Sequence, residues 1–177
     1  VSPFDTPVKR RESGCVKWTR FPEDVLPMWV ADMDFPVALP ILAAIRRRLD
    51  HPVLGYGVSQ AGLKARIVAW LDVQYGWRVE PEAIIPLPGV VPGFNLALRA
   101  ACAPGAGVVV QTPVYPPMLA APAHWEMRRV EAPLTPDDKP DLDALRGALT
   151  EAGPAGAFML CNPHNPTGRV FERGELA

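Results

Sequence analysis

Three short segments hold the groups most able to do chemistry. The first, Pro88-Gly89-Val90-Val91, places a glycine ahead of residues with helical apolar spacing. Backbone N–H groups in a helix's first turn lack intrahelical acceptors and the dipole there is positive, so such a turn can hold a phosphate. Many strand-to-helix turns share this glycine and bind nothing, and taken alone the segment favours that plainer reading. The second, Thr112-Pro113-Val114-Tyr115, ends in an aromatic ring after a rigid turn. Tyr115 either stacks on a planar heterocycle in a crevice or packs in the core with its hydroxyl satisfied, and residue type alone favours the core. The third, Cys161-Asn162-Pro163-His164-Asn165-Pro166-Thr167-Gly168, is the most specific. Two prolines and a glycine fix a loop that presents amide side chains, Asn165 among them, at the end of an apolar run. His164 reads as a solvent-facing loop histidine.

Other residues read more plainly. Asp32 and Asp34, in Ala31-Asp32-Met33-Asp34-Phe35, have neither the spacing of a hydrolase pair nor a histidine partner for a metal. Turn or helix-capping duty is expected of them, and no metal site is expected. Glu126, Arg128, Arg129 and Glu131 read as a solvated face. Eighteen basic and nineteen acidic residues leave a net charge of −1, which excludes a strong field for nucleic acid or anionic membrane and favours small neutral or zwitterionic ligands. Cys15, Cys102 and Cys161 are odd in number and lack paired spacing, so reduced thiols in a cytoplasmic protein are expected. No apolar stretch reaches the ~20 residues that span a bilayer, and no signal-peptide layout begins the chain.

These segments need elements to position them. Residues 1–36 carry little periodicity and hold Pro3, Pro7, Pro22, Pro27 and Pro36, as an extended arm that completes a dimer would. Ile41, Leu42, Ile45 and Leu49 give an amphipathic helix ending near His51-Pro52. Ser59 is placed to cap a second helix through Leu63, Ile67, Trp70 and Leu71 that stops at Gly76. Residues 83–87 read as a strand, followed by a helix over 90–103. Val108-Val109-Val110 reads as a strand buried on both faces, 127–130 as a weaker strand, and 157–161 as another short strand. Asp141 caps a helix through Leu149. The alternation predicts an α/β fold, a mostly parallel sheet flanked by helices, with ligands at the carboxyl ends of the strands, where residues 88–91, 112–115 and 162–168 lie.

Six groups of residues, in this order, resemble the N-terminal portion of pyridoxal-phosphate (PLP) enzymes of fold type I. They are Phe4-Asp5 with Val16-Lys17-Trp18; Leu26-Pro27-Met28-Trp29-Val30-Ala31-Asp32-Met33-Asp34-Phe35; Gly55-Tyr56-Gly57; Pro88-Gly89-Val90-Val91-Pro92-Gly93; Thr112-Pro113-Val114-Tyr115-Pro116-Pro117; and the loop from Cys161 to Gly168. The nearest branch is the MalY/PatB cystathionine β-lyase group of the class I/II aminotransferase superfamily. The resemblance implies that Gly89, Val90 and Val91 hold the cofactor phosphate, Tyr115 stacks on its ring and Asn165 bonds its phenolic oxygen O3′. It also implies that Tyr56 reaches the phosphate of a neighbouring subunit in a homodimer, and that Ala31, Asp32 and Met33 lie near the substrate entrance. Residues 1–50 would then be an arm and first helix, and 51–177 an incomplete PLP-binding large domain. The implied activity is β-elimination from cystathionine or cysteine S-conjugates, giving pyruvate, ammonia and a thiol. Amino transfer is the alternative, and a non-catalytic PLP-binding or interaction protein is another. The Schiff-base lysine, the aspartate for the pyridine nitrogen and the arginine for the substrate carboxylate are expected beyond Ala177.

Overall fold

The structure, a computed structural model, describes residues 3–58 and 61–177. Its first elements are α1 (Val16–Thr19), α2 (Leu39–Leu49), α3 (Ala61–Tyr75) and α4 (Val90–Ala101). There follow β1 (Gly107–Thr112), α5 (Pro116–Ala120), β2 (Arg128–Pro133), α6 (Leu142–Ala152), β3 (Ala157–Met159) and α7 (Arg173–Leu176). The chain divides between Val58 and Ser59 into two compact units.

In the second unit, β1 pairs in parallel with β2 on one side and β3 on the other, giving the order β2-β1-β3. The valine run is shielded from solvent at all three positions. Pleating sends alternate side chains to opposite faces. Val108 and Val110 pack with Leu98 of α4 and Met118 of α5, whereas Val109 packs with Val130, Ala132 and Ala148 of α6. Helices thus cover both faces, as a continuous apolar strand requires, and the expected α/β architecture is the one observed. α6 starts under Asp141, whose carboxylate accepts from the N–H groups of Asp143 and Ala144 at 3.1 and 2.9 Å. Its end crosses β1 so closely that a Cβ on Gly107 would lie 2.4 Å from the Cα of Ala152.

α3 stops at Gly76, which adopts a left-handed φ of 62°; Ser59 lies outside the described residues. Residues 83–87 do not form the expected strand: Pro81–Ala83 is a 3-10 turn and the rest is irregular. Pro86 and Pro88 have no N–H to give a ladder, which weakens the segment as a strand despite its apolar content. β2 begins one residue later than expected and runs on to Pro133. In the first unit, the expected extended arm is broken by the 3-10 turns Pro3–Asp5 and Arg11–Ser13 and by α1. Among the described residues, no helix is long and apolar enough to cross a membrane.

Candidate functional site

Past the carboxyl ends of β1 and β3, and against the start of α4, the second unit holds a cavity of about 930 Å³. Gly89, Val90, Val91, Tyr115 and Asn165 all line it, so the three loops singled out in the sequence meet in one place. Much of the remaining wall is apolar, from Phe94 and Leu98 of α4, Met118, and Phe158 to Leu160 at the sheet edge.

Gly89 is the N-cap residue of α4, with φ 155° and ψ 168°, backbone that only glycine adopts readily. No side chain caps this helix. The first α-helical bond runs from the N–H of Gly93 to the carbonyl of Gly89. Pro92 has no N–H, so Val90 and Val91 supply the free donors of this turn, at the positive end of the dipole. The turn is braced from behind. Asn95 donates to the carbonyl of Val91 at 2.9 Å, and Nδ1 of His124 lies 2.9 Å from Asn95 Oδ1.

Tyr115 is the N-cap residue of α5 and is 36% exposed, with its neighbour Val114 buried in the core as the anchor. The sequence alone favoured a core tyrosine; its ring is instead at the cavity wall. The two asparagines of the third loop divide their work. Asn162 Oδ1 accepts from the N–H of Phe171 at 3.0 Å and shapes the loop. Asn165 is exposed to the cavity, and its amide has no partner among the described residues.

His164 overturns its expected exposure. It is 1% exposed, with Nε2 2.6 Å from the carbonyl oxygen of Pro113 and its ring packed on Phe171. A loop rich in proline lacks backbone donors, and here a side chain folds inward to supply one.

Tyr56, Ala31, Asp32 and Met33 belong to the first unit. Tyr56 is fully exposed and Met33 is 78% exposed. Asp32 and Asp34 cap no helix: α2 starts at Ala38 without a side-chain cap. They are instead the centre of an ionic cluster. Arg10 reaches Asp32 and Asp34 at 2.8 Å each and also donates to the carbonyl of Met33. Lys17, itself buried, bonds Asp34 at 2.7 Å, and the indole N–H of Trp18 donates to the same carboxylate at 2.7 Å. The Cys15 thiol lies 2.9 Å from Asp32 Oδ2 and 3.0 Å from Arg10 Nη2. The bond from Cys15, then the charge of Arg10, holds the Asp32 carboxyl below the usual range, and bonds from Lys17 and Trp18 do the same for Asp34. Two cations neutralise two carboxylates, which fixes the backbone at Met33. Sequence reasoning missed Arg10 and Lys17 as partners, because a cation 15 to 24 residues away carries no local signal.

No group of three or more potential metal ligands occurs among the described residues. None of the chain's lysines, Lys9, Lys17, Lys64 and Lys139, lines the cavity.

A parallel sheet with helices on both faces and a crevice past its strand ends defines an α/β protein of the kind that binds small ligands at that edge. The family model for class I and II aminotransferases matches residues 24–177, and the chain belongs to that family. It is 38% identical to the cystathionine beta-lyase PatB of Bacillus subtilis over 98% of its own length and 46% of the relative's. It superposes on cystalysin from Treponema denticola, a structure that contains pyridoxal 5'-phosphate, with a TM-score of 0.87 and 30% identity over 99% of this chain and 47% of that one. A PLP-bound putative aminotransferase from Clostridium difficile gives a TM-score of 0.88 and 30% identity over 98% and 46%. The chain thus spans under half the length of the relatives it matches.

Proposed function

We propose that this chain carries the phosphate, ring and O3′ contacts of a PLP-dependent carbon–sulfur β-lyase. The observation that carries this reading is the meeting of Gly89, Val90, Val91, Tyr115 and Asn165 in one cavity. The donor set fits the group: an uncapped helix start for a phosphate, an aromatic face for a pyridine ring, and an amide without a protein partner for a phenolic oxygen.

When bound, PLP supplies an electron sink that stabilises negative charge at the α-carbon of an amino acid. The N–H groups of Val90 and Val91 would hold the phosphate at the start of α4. Tyr115 would stack on the ring, and the Asn165 amide would donate to O3′. The apolar wall of Phe94, Leu98 and Met118 would limit water around the bound group and so strengthen these bonds. In the complete enzyme, Ala31, Asp32 and Met33 would lie near the substrate entrance. The Asp32 carboxylate is engaged by Arg10 and Cys15. Tyr56 would reach the phosphate of a neighbouring subunit in a homodimer, a reading that its full exposure supports. Residues 51–177 would then be the cofactor-binding part, with residues 1–50 as arm and first helix. Three free thiols suit a reducing compartment, the cytoplasm.

The substrate class is an amino acid with a thiolate leaving group on its β-carbon. Cystathionine and water would yield homocysteine, pyruvate and ammonia. The test is the full-length protein incubated with PLP and cystathionine without any keto acid. Pyruvate release supports the lyase; amino transfer that depends on added keto acid replaces it with the aminotransferase alternative.

A further inference from the structure

We propose that His164 is a positioning residue that ties the loop carrying Asn165 to the turn carrying Tyr115, and so sets the separation of the two groups facing the ligand. The inference rests on the PLP reading given above. His164 does not line the cavity, but both of its chain neighbours, Pro163 and Asn165, do. Its Nε2 spans 51 residues of sequence to the carbonyl of Pro113, two positions before Tyr115.

The need for such a tie follows from the backbone. Pairing of β1 with β3 ends at Val110↔Met159, so beyond it no ladder joins the two loops. Pro113, Pro163 and Pro166 remove three N–H donors from this region. The His164 side chain reaches the Pro113 carbonyl across this gap, in a partly buried contact. Carbonyl oxygens face both ring nitrogens, Pro113 at 2.6 Å from Nε2 and Cys161 at 3.2 Å from Nδ1. The proposed tie places an N–H on Nε2, where the contact is shorter.

The ring cannot drift. It packs on Phe171 with centroids 5.5 Å apart, and Phe171 is itself buried and bonded through its N–H to Asn162. The main chain of His164 is held as well: its N–H donates to Arg169 at 2.7 Å and its carbonyl accepts from Gly168 at 2.7 Å. Asn165, one residue on, inherits that rigidity, and displacement of His164 would move the amide relative to the Tyr115 ring.

The experiment uses the full-length protein with PLP. His164→Gln places an amide nitrogen where Nε2 was, and His164→Asn places one where Nδ1 was. Loss of the Pro113 tie in His164→Asn is expected to raise the PLP dissociation constant at least about fivefold. It should also shift the absorption band of the bound cofactor toward that of Asn165→Ala; His164→Gln should stay near wild type in both. Nitrogen-detected NMR of the wild-type holoprotein, with His164 assigned through the glutamine variant, reads the tautomer without relying on the asparagine variant's folding. A proton on Nδ1 and none on Nε2 overturns the proposal, as does an asparagine variant indistinguishable from the glutamine one while the wild type binds PLP. Wild-type protein that binds no PLP overturns the functional reading and this role together.

Discussion

Replacing Gly89 by alanine tests whether the start of α4 is shaped for a ligand. The Cβ itself has room, since its nearest neighbour would be Pro92 Cδ at 3.7 Å, so the cost is conformational. At φ 155° and ψ 168° a residue with a Cβ is strained by ~1–3 kcal/mol. That energy has two outlets. If the variant keeps the turn, stability falls by this amount; if the turn relaxes, the Val90 and Val91 donors move and PLP binding weakens by roughly 5- to 150-fold, at ~1.4 kcal/mol per factor of ten. The assay is PLP titration of the full-length protein together with thermal unfolding of its PLP-free and PLP-bound forms. Gly93→Ala is the control: it lies inside α4, its added Cβ would meet Leu87 Cδ1 at an ordinary 3.5 Å, and helix propensity favours alanine by ~1 kcal/mol. The strain argument fails if Gly89→Ala matches wild type in both affinity and melting temperature, or if Gly93→Ala costs as much as Gly89→Ala.

Three other outcomes are expected. Gly107→Ala forces α6 away from β1, because the new Cβ would sit 2.4 Å from backbone of Ala152; a loss of ~1–3 kcal/mol or more in denaturant unfolding is expected, and a neutral result would refute the close crossing. Tyr115→Phe keeps the ring and should leave PLP affinity nearly unchanged, whereas Tyr115→Ala should weaken it by about threefold or more in the same titration; equal loss in both would point to the hydroxyl instead. Asp32 and Asp34 titrate below their ordinary value of 3.8, so their contribution is complete above that pH and is lost as the pH falls through the lowered folded-state values. The acid transition of Trp18 fluorescence, taken as the difference from Trp18→Phe, should therefore lie below pH 3.8; a transition above it would show that the cluster does not hold Asp34.

The parts of this molecule written in the sequence are those whose cause is local. Three consecutive valines bounded by Gly107 and Pro113 announce a buried strand because only burial on both faces suits them. Asp141 announces α6 because its carboxylate serves N–H groups two and three residues on. Where local causes conflict, reading fails: residues 83–87 have the apolar content of a strand but lose a donor at Pro86 and are followed at once by Pro88. The cavity was legible for a different reason. A parallel sheet brings its strand ends to one edge, so the loops after β1 and β3 must meet there, and α4, packed on β1 through Leu98, brings its first turn to the same cavity.

The groups that hold those loops still were not legible, because their partners are distant and their residue types point the other way. Histidine in a loop and arginine in an arm are ordinarily solvated, yet His164 and Arg10 are among the best-bonded residues here. One signal was available for His164. It stands in Pro163-His164-Asn165-Pro166, facing a second proline turn, and so many missing N–H groups at one sheet edge leave carbonyls that a side chain must satisfy. Asp32 and Asp34 offered a weaker version: with two carboxylates flanking Met33, a fixed backbone there requires two counter-charges, and Arg10 and Lys17 were the cations that the arm could fold inward. His164 and Lys17 each fix the backbone around them, and each is buried against its type.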